Sequence, residues 1–120
     1  MLPTEDRFTR LPAPPYYAVI FSSQRTDRDA AGYDEASARM VELVRQQPGF
    51  LGFESTRDGA GFGITVAYFD SEDAIRHWRN NAEHAEARRE GHRSWYDHFE
   101  LRIARVERAY GGVRREQDAP

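Results

Sequence analysis

A chain of 120 residues, 39% hydrophobic and 31% charged, argues for one water-soluble domain with a modest core. It has no cysteine, and all 17 of its basic residues are arginine, so disulfides, thiolate sites, cysteine nucleophiles and lysine Schiff bases are excluded. A net charge of -3, with arginines scattered among acids, argues against a nucleic-acid surface.

Residues 1–15 hold Pro3, Pro12, Pro14 and Pro15 and read as an extended arm without regular structure, either loose or laid along a partner subunit. The opening MLPTEDRFTR lacks the basic-then-apolar order of a secretory signal. No apolar run approaches the roughly 18 residues of a bilayer span. A cytoplasmic protein without membrane partners is expected.

Residues 16–25, YYAVIFSSQR, alternate as a strand, with apolar side chains on both faces and a polar end of the kind that borders pockets. The first helix is expected over 33–46, from the stripe Tyr33, Ala36, Met40, Leu43 and Val44, and Pro48-Gly49 stops it. FLGFESTR (50–57) is a second strand. DGAG (58–61) turns it into a third, FGITVAYF (62–69). Asp70 and Ser71 then suit a helix N-cap, and Glu72 and Asp73 a first turn. The helix they open carries Ala74, Ile75, Trp78, Ala82 and Ala85 at helical spacing and weakens near Arg88–Gly91. HRSWYDH (92–98) is a short helical or irregular segment that sets Trp95 and Tyr96 against apolar surface. FELRIARVERAY (99–110) is a fourth strand whose apolar phase slips at Ile103-Ala104, through a bulge or a change of buried face. The polar tail 111–120 is expected to be disordered.

The order β-α-β-β-α-β is the ferredoxin-like α+β plan, a four-stranded antiparallel sheet with both helices on one face. It spans 16–110, between the arm and the tail. The uncovered face keeps apolar residues, and a second copy packed sheet to sheet would bury them. A homodimer is therefore expected.

Four segments, YYAVIFSS, QQPGFLGFES, AYFDSEDAIRHWRNNAEH and WYDHFELRIARVERAY, in this order resemble the antibiotic biosynthesis monooxygenase (ABM) domain family. The resemblance covers about residues 16–110. It implies a dimeric α+β barrel. It also implies one of three fates: a cofactor-independent oxygenase of aromatic polyketides or quinols, a haem-degrading enzyme, or a protein without assigned activity. The haem-degrading pattern has an asparagine on the first strand, then a tryptophan, then a histidine ten residues later. Trp78 fits, but Arg88 stands in the histidine's place and the first strand offers Ser22 or a neighbour. The quinol-oxidising pattern has histidine at the position of Trp78 and a second one shortly after; His84 falls about one residue from it.

The leading expectation is a cofactor-independent monooxygenase-like protein acting with O2 on a flat phenolic or quinol-type molecule. His84 would be the base, Asn81 would hold a substrate oxygen, and Trp78 would stack on the ring. Phe21, Ser22, Trp95 and Tyr96 would line the pocket. On a continuous helix Trp78 and His84 lie about 120° apart, which puts His84 at the border of that pocket. The plainer roles are packing for Trp78, capping for His84 and an exposed helical amide for Asn81. His77 and His84 are about 10 Å apart along a helix, too far to share an ion, so neither a metal site nor a cofactor is expected. A non-catalytic dimeric carrier or stress-associated protein is the alternative, and a haem-handling protein the third.

Overall fold

A computed structural model describes residues 7–114; the remainder of the expected arm and tail lies outside them. Four strands, β1 (Tyr16–Arg25), β2 (Phe50–Arg57), β3 (Phe62–Phe69) and β4 (Tyr96–Val106), form one sheet in the order β2-β3-β1-β4, with every neighbouring pair antiparallel. Three helices, α1 (Ala30–Val44), α2 (Glu72–Arg79) and α3 (Ala82–Glu90), join them, and one π-helical turn (Gly91–Trp95) leads into β4. The ferredoxin-like α+β plan is therefore present, with the expected second helix divided in two.

The register sets which side chains meet. Val19 lies opposite Ala67 and Ile103, and Phe21 opposite Thr65 and Leu101. These residues share the face that the helices cover. The core forms at one end of that face, where Val44, Phe69 and Ala74 pack with Val19, Phe50, Ala67, Ile75 and Trp78. Phe69, only 1% exposed, is its centre, and the Phe50 ring meets it edge-on at 5.6 Å.

Local chemistry fixes the connections. Asp58 holds the β2–β3 hairpin, its Oδ1 accepting from the backbone N–H groups of Ala60 and Phe62 at 3.0 Å. Gly61 closes the same turn at φ 95°, a region only glycine enters freely. Ser71 caps α2, its Oγ accepting from Ala74 N at 3.1 Å, and Glu72 and Asp73 fill the first turn as expected.

Two boundaries differ from the sequence reading. Helix α1 begins at Ala30 because Asp29, at φ 51°, caps it through Gly32 N; the stripe from Tyr33 onward left this first turn out. Strand β4 begins at Tyr96, and its one irregularity faces Gln24/Arg25 of β1. The pairing runs straight through Ile103-Ala104, so the slip there is a change of face without a bulge.

The described part of the arm lies on its own sheet at Thr9. Thr9 donates from its backbone N to Glu54 Oε2 (3.1 Å) and from Oγ1 to Phe53 O (2.7 Å), and Tyr68 donates to the other Glu54 oxygen (2.8 Å). Burial, then the Glu54 carboxylate, push the Tyr68 hydroxyl up to about 12. Gly52 makes the close approach possible, since a Cβ there would fall 2.3 Å from Thr9 Cγ2.

Gly49 offers a test of this framework. It sits at φ 81°, and a Cβ would lie 2.4 Å from Asp70 Oδ1 and 2.6 Å from the Ala74 methyl. Gly49→Ala is expected to cost about 1–3 kcal/mol in urea unfolding. Gly59→Ala, in open space, should stay within about 0.5 kcal/mol of the parent.

Candidate functional site

The helix after β3 stops at Asn80, and Asn81 turns extended to cap a new helix, its Oδ1 accepting from His84 N at 3.1 Å. Ending α2 frees its last carbonyls, which need donors. The Asn81 backbone N–H donates to Trp78 O at 3.1 Å, and two side chains of α3 add to it. His84 Nδ1 lies 3.0 Å from Trp78 O, and Arg88 Nη2 donates to Arg79 O at 2.9 Å. His84 and Arg88 are four residues apart and share one face of α3.

The break also changes the relation of Trp78 to His84. A continuous helix would separate them by about 120°. The kinked connection instead stacks their rings, with centroids 4.2 Å apart and planes 10° off parallel. His84 therefore lies beside Trp78, and both line one cavity.

That cavity, about 360 Å³, lies between the sheet and the helices. Its floor is Val19, Phe21, Thr65 and Ala67; Met40, Val44, Trp78, His84 and Trp95 stand above it. A space of this size lined mainly by apolar and aromatic side chains accommodates a small planar molecule. Leu101 and Ile103 on edge strand β4 also line it and remain 47% and 51% exposed, so it opens along that edge.

The far end of the cavity is polar and closed. Arg57 donates from Nη1 to Ser23 O and Gly61 O, and from Nη2 to the Ser23 hydroxyl and to Tyr33 Oη. Its fork is therefore satisfied. Arg25 stacks over the Tyr33 ring at 3.9 Å. Trp95, 6% exposed, donates from Nε1 to Asp29 Oδ2 at 3.2 Å. Burial, then neighbouring Tyr33, push the Tyr96 hydroxyl well above its ordinary range, so it stays protonated.

Of the residues singled out from sequence, Trp78, His84, Phe21, Trp95 and Tyr96 line one cavity. Ser22 is not among the lining residues, because it alternates with Phe21 and faces the other side of the sheet. Its neighbour Ser23, 1% exposed, takes the inward position and binds Arg57. Asn81 is not among them either; its carbonyl oxygen is engaged as the α3 cap. The residues the sequence reading missed are Ser23, Tyr33, Arg57, Arg79 and Arg88. For Ser23 the signal was present, since it is in phase with Val19 and Phe21. The arginines gave none, being indistinguishable in sequence from the fourteen others.

Electrostatics at the stacked pair favour a neutral imidazole. Burial lowers the His84 pKa most; the Trp78 carbonyl opposes this, and nearby Arg88 and Arg79 lower it further. The net direction is down from the ordinary 6.5. With Nδ1–H donating to Trp78 O, the Nε2 lone pair is left to accept a proton.

A family model described as antibiotic biosynthesis monooxygenase matches residues 15–90. The chain is 52% identical over 103 residues to the uncharacterized protein YqjZ of Bacillus subtilis, covering 86% of this chain and 90% of that one. Among solved structures, a protein from Shewanella oneidensis superposes with a TM-score of 0.69 at 10% identity, over 85% of this chain and all (100%) of that one. SnoaB, a cofactor-independent oxygenase from Streptomyces nogalater, superposes with a TM-score of 0.67 at 14% identity, over 80% of this chain and 97% of that one. At such identities the structural likeness speaks to the fold.

The lowered His84 pKa has a consequence for stability. Its contribution is complete above the unfolded value near 6.5 and is lost as pH falls through the lower folded value, because the unfolded chain binds the proton more readily. Urea unfolding should show stability falling below about pH 6.5, and His84→Gln should flatten that part of the profile. A profile identical in parent and variant would place the imidazole in water.

Proposed function

Because this chain belongs to the antibiotic biosynthesis monooxygenase family, we propose that its helix–sheet cavity binds a flat phenolic or quinol-type molecule and supports cofactor-independent monooxygenation with O2. One observation carries the reading: a neutral histidine, its Nδ1 engaged by Trp78 O, is stacked on Trp78 in the wall of an apolar cavity. His84 Nε2 takes the phenolic proton. The deprotonated ring becomes the electron donor to O2. One oxygen atom is retained at a ring carbon that loses two hydrogens, and the other leaves as water. Trp78 stacks on the substrate edge and excludes water. Asn81 acts through His84, by fixing the first turn of α3.

A second reading, a carrier without turnover, is favoured by the position of Asn81. Its side chain caps α3, so the oxygen-holding group expected from sequence is turned away from the cavity lining.

Oxygen uptake by chelator-treated protein with a panel of hydroquinones and polycyclic phenols decides between them. Uptake above autoxidation is expected, with kcat/KM reduced about 100-fold or more in His84→Ala. The rate should rise with pH across an inflection below 6.5, as His84 loses its proton. Binding without uptake would establish the carrier.

The homodimer belongs to the same reading. The second face of the sheet presents Phe62 at 48% and Ile64 at 38% exposure, beside half-buried Ile20 and Val66. A second copy packed there would cover them. Light scattering should give about 28 kDa, twice the 13.9 kDa chain. Ile64→Glu should shift the protein toward monomer; a monomeric parent would overturn the dimer.

A further inference from the structure

The two edges of the sheet are finished differently. On β2 the arm lies against the strand, where Thr9 Oγ1 donates to Phe53 O at 2.7 Å, and the pairing with β3 is irregular between Phe50 and Gly52. Both features discourage a further strand from adding there. Strand β4 has neither along most of its length. It is the longest strand, at 11 residues, and among the described residues only β1 bonds its backbone from Phe99 to Val106. Residues 100–105 are exposed without a break and contain no proline, glycine or bulge. Leu101 and Ile103, at 47% and 51% exposure, stand on this edge at the mouth of the cavity.

An open edge of this kind is a template for another strand, and its sequence selects one. When β4 meets β4 of a second copy antiparallel, opposed residues must both turn their backbone groups toward the partner, so the two-fold axis passes through a residue. An axis through Glu100 sets two carboxylates against each other, and one through Arg102 sets two guanidinium groups together. An axis through Leu101, the midpoint of Tyr96–Val106, pairs the whole strand. It puts Glu100 opposite Arg102 of the second copy, twice over by symmetry, on the face the helices leave uncovered. On the cavity face Leu101 meets Leu101, and Phe99 meets Ile103. Opposite charges and apolar pairs at directly opposed positions are the stabilising combinations of an antiparallel ladder. Arg102 forms no ion pair among the described residues, so this partner is open to it.

We propose that two copies of this chain join edge to edge through β4, with the axis at Leu101, and that each copy thereby covers the cavity mouth of the other. Two four-stranded sheets become one of eight strands. Opposed residues of an antiparallel pair keep their side chains on one face, so the helices of both copies lie on the same side and the two mouths abut. The contact uses the strand edge, whereas the sheet-face dimer uses the surface around Phe62 and Ile64; it depends on neither that dimer nor the ligand reading. An edge ladder buries less area than a sheet face, so it fills at higher protein concentration.

The chain has no cysteine, so a single introduced one reports the contact. Opposed Cα atoms in such a ladder lie about 4.5–5.5 Å apart, within reach of a disulfide. Leu101→Cys, oxidised with copper–phenanthroline, should link two chains. Ile103→Cys, whose two copies would sit about 14 Å apart, should link at least about tenfold more slowly. Within Leu101→Cys, adding Arg102→Glu should slow linkage at least about tenfold, because it faces Glu100. Adding Glu100→Arg as well should restore it, since reversing both charges preserves each pair. Adding Ile64→Glu alone should leave linkage unchanged. All these positions are exposed, and circular dichroism checks that each variant is folded. No linkage of Leu101→Cys at up to about 1 mM protein, or equal linkage of the two cysteine variants, would overturn the edge contact. Linkage indifferent to Arg102→Glu, or not restored by the double reversal, would overturn the register. Linkage lost with Ile64→Glu would overturn the independence from the sheet-face dimer.

Discussion

The early end of α2 is the constraint on which the site depends. A helix that stops leaves carbonyl oxygens pointing along its axis with partial negative charge. Had α2 run on through residue 88, those oxygens would have been bonded internally, and His84 and Arg88 would have projected from the same rod as Trp78. Because the chain turns extended at Asn81, the carbonyls of Trp78 and Arg79 take donors from α3 instead. One break therefore fixes the imidazole tautomer, stacks it on the indole and brings a guanidinium beside both.

The two ends of the cavity show how the same residue type serves opposite purposes. Arg57 has every available oxygen around it and holds Ser23, Gly61 and Tyr33 in place, so it is part of the framework. Arg88 spends one nitrogen on Arg79 O, and its Nε is buried with no hydrogen-bond partner among the described residues. Charge count or hydropathy cannot separate the two; only the inventory of acceptors around each one does.

Much of the architecture was legible in sequence. The alternation in 16–25 and 62–69, and the Pro48-Gly49 and 58–61 breakers on either side of 50–57, set strand limits that the structure reproduces. Ser71 capped as its residue type predicts. The division of the second helix was not read, although Asn80-Asn81 was visible, since Ala82 and Ala85 continue the helical period across it. Period alone does not register a break whose cap lies in phase. Ser22 and Ser23 differ in the same way: a polar strand end does not say which serine points inward, and only the phase against Phe21 picks Ser23. The partners of arginines depend on tertiary proximity, and no local pattern carried them.

Helix α3 buries none of its own residues completely, and the ion pair of Arg39 with Glu83 ties it to α1 on the solvent side. Its inner face carries both His84 and Arg88. Any outward swing of this helix therefore parts the stacked His84 and Trp78 rings and takes Arg88 away from Arg79 O at the same moment. Along that route, opening the cavity and keeping its wall assembled are thus mutually exclusive.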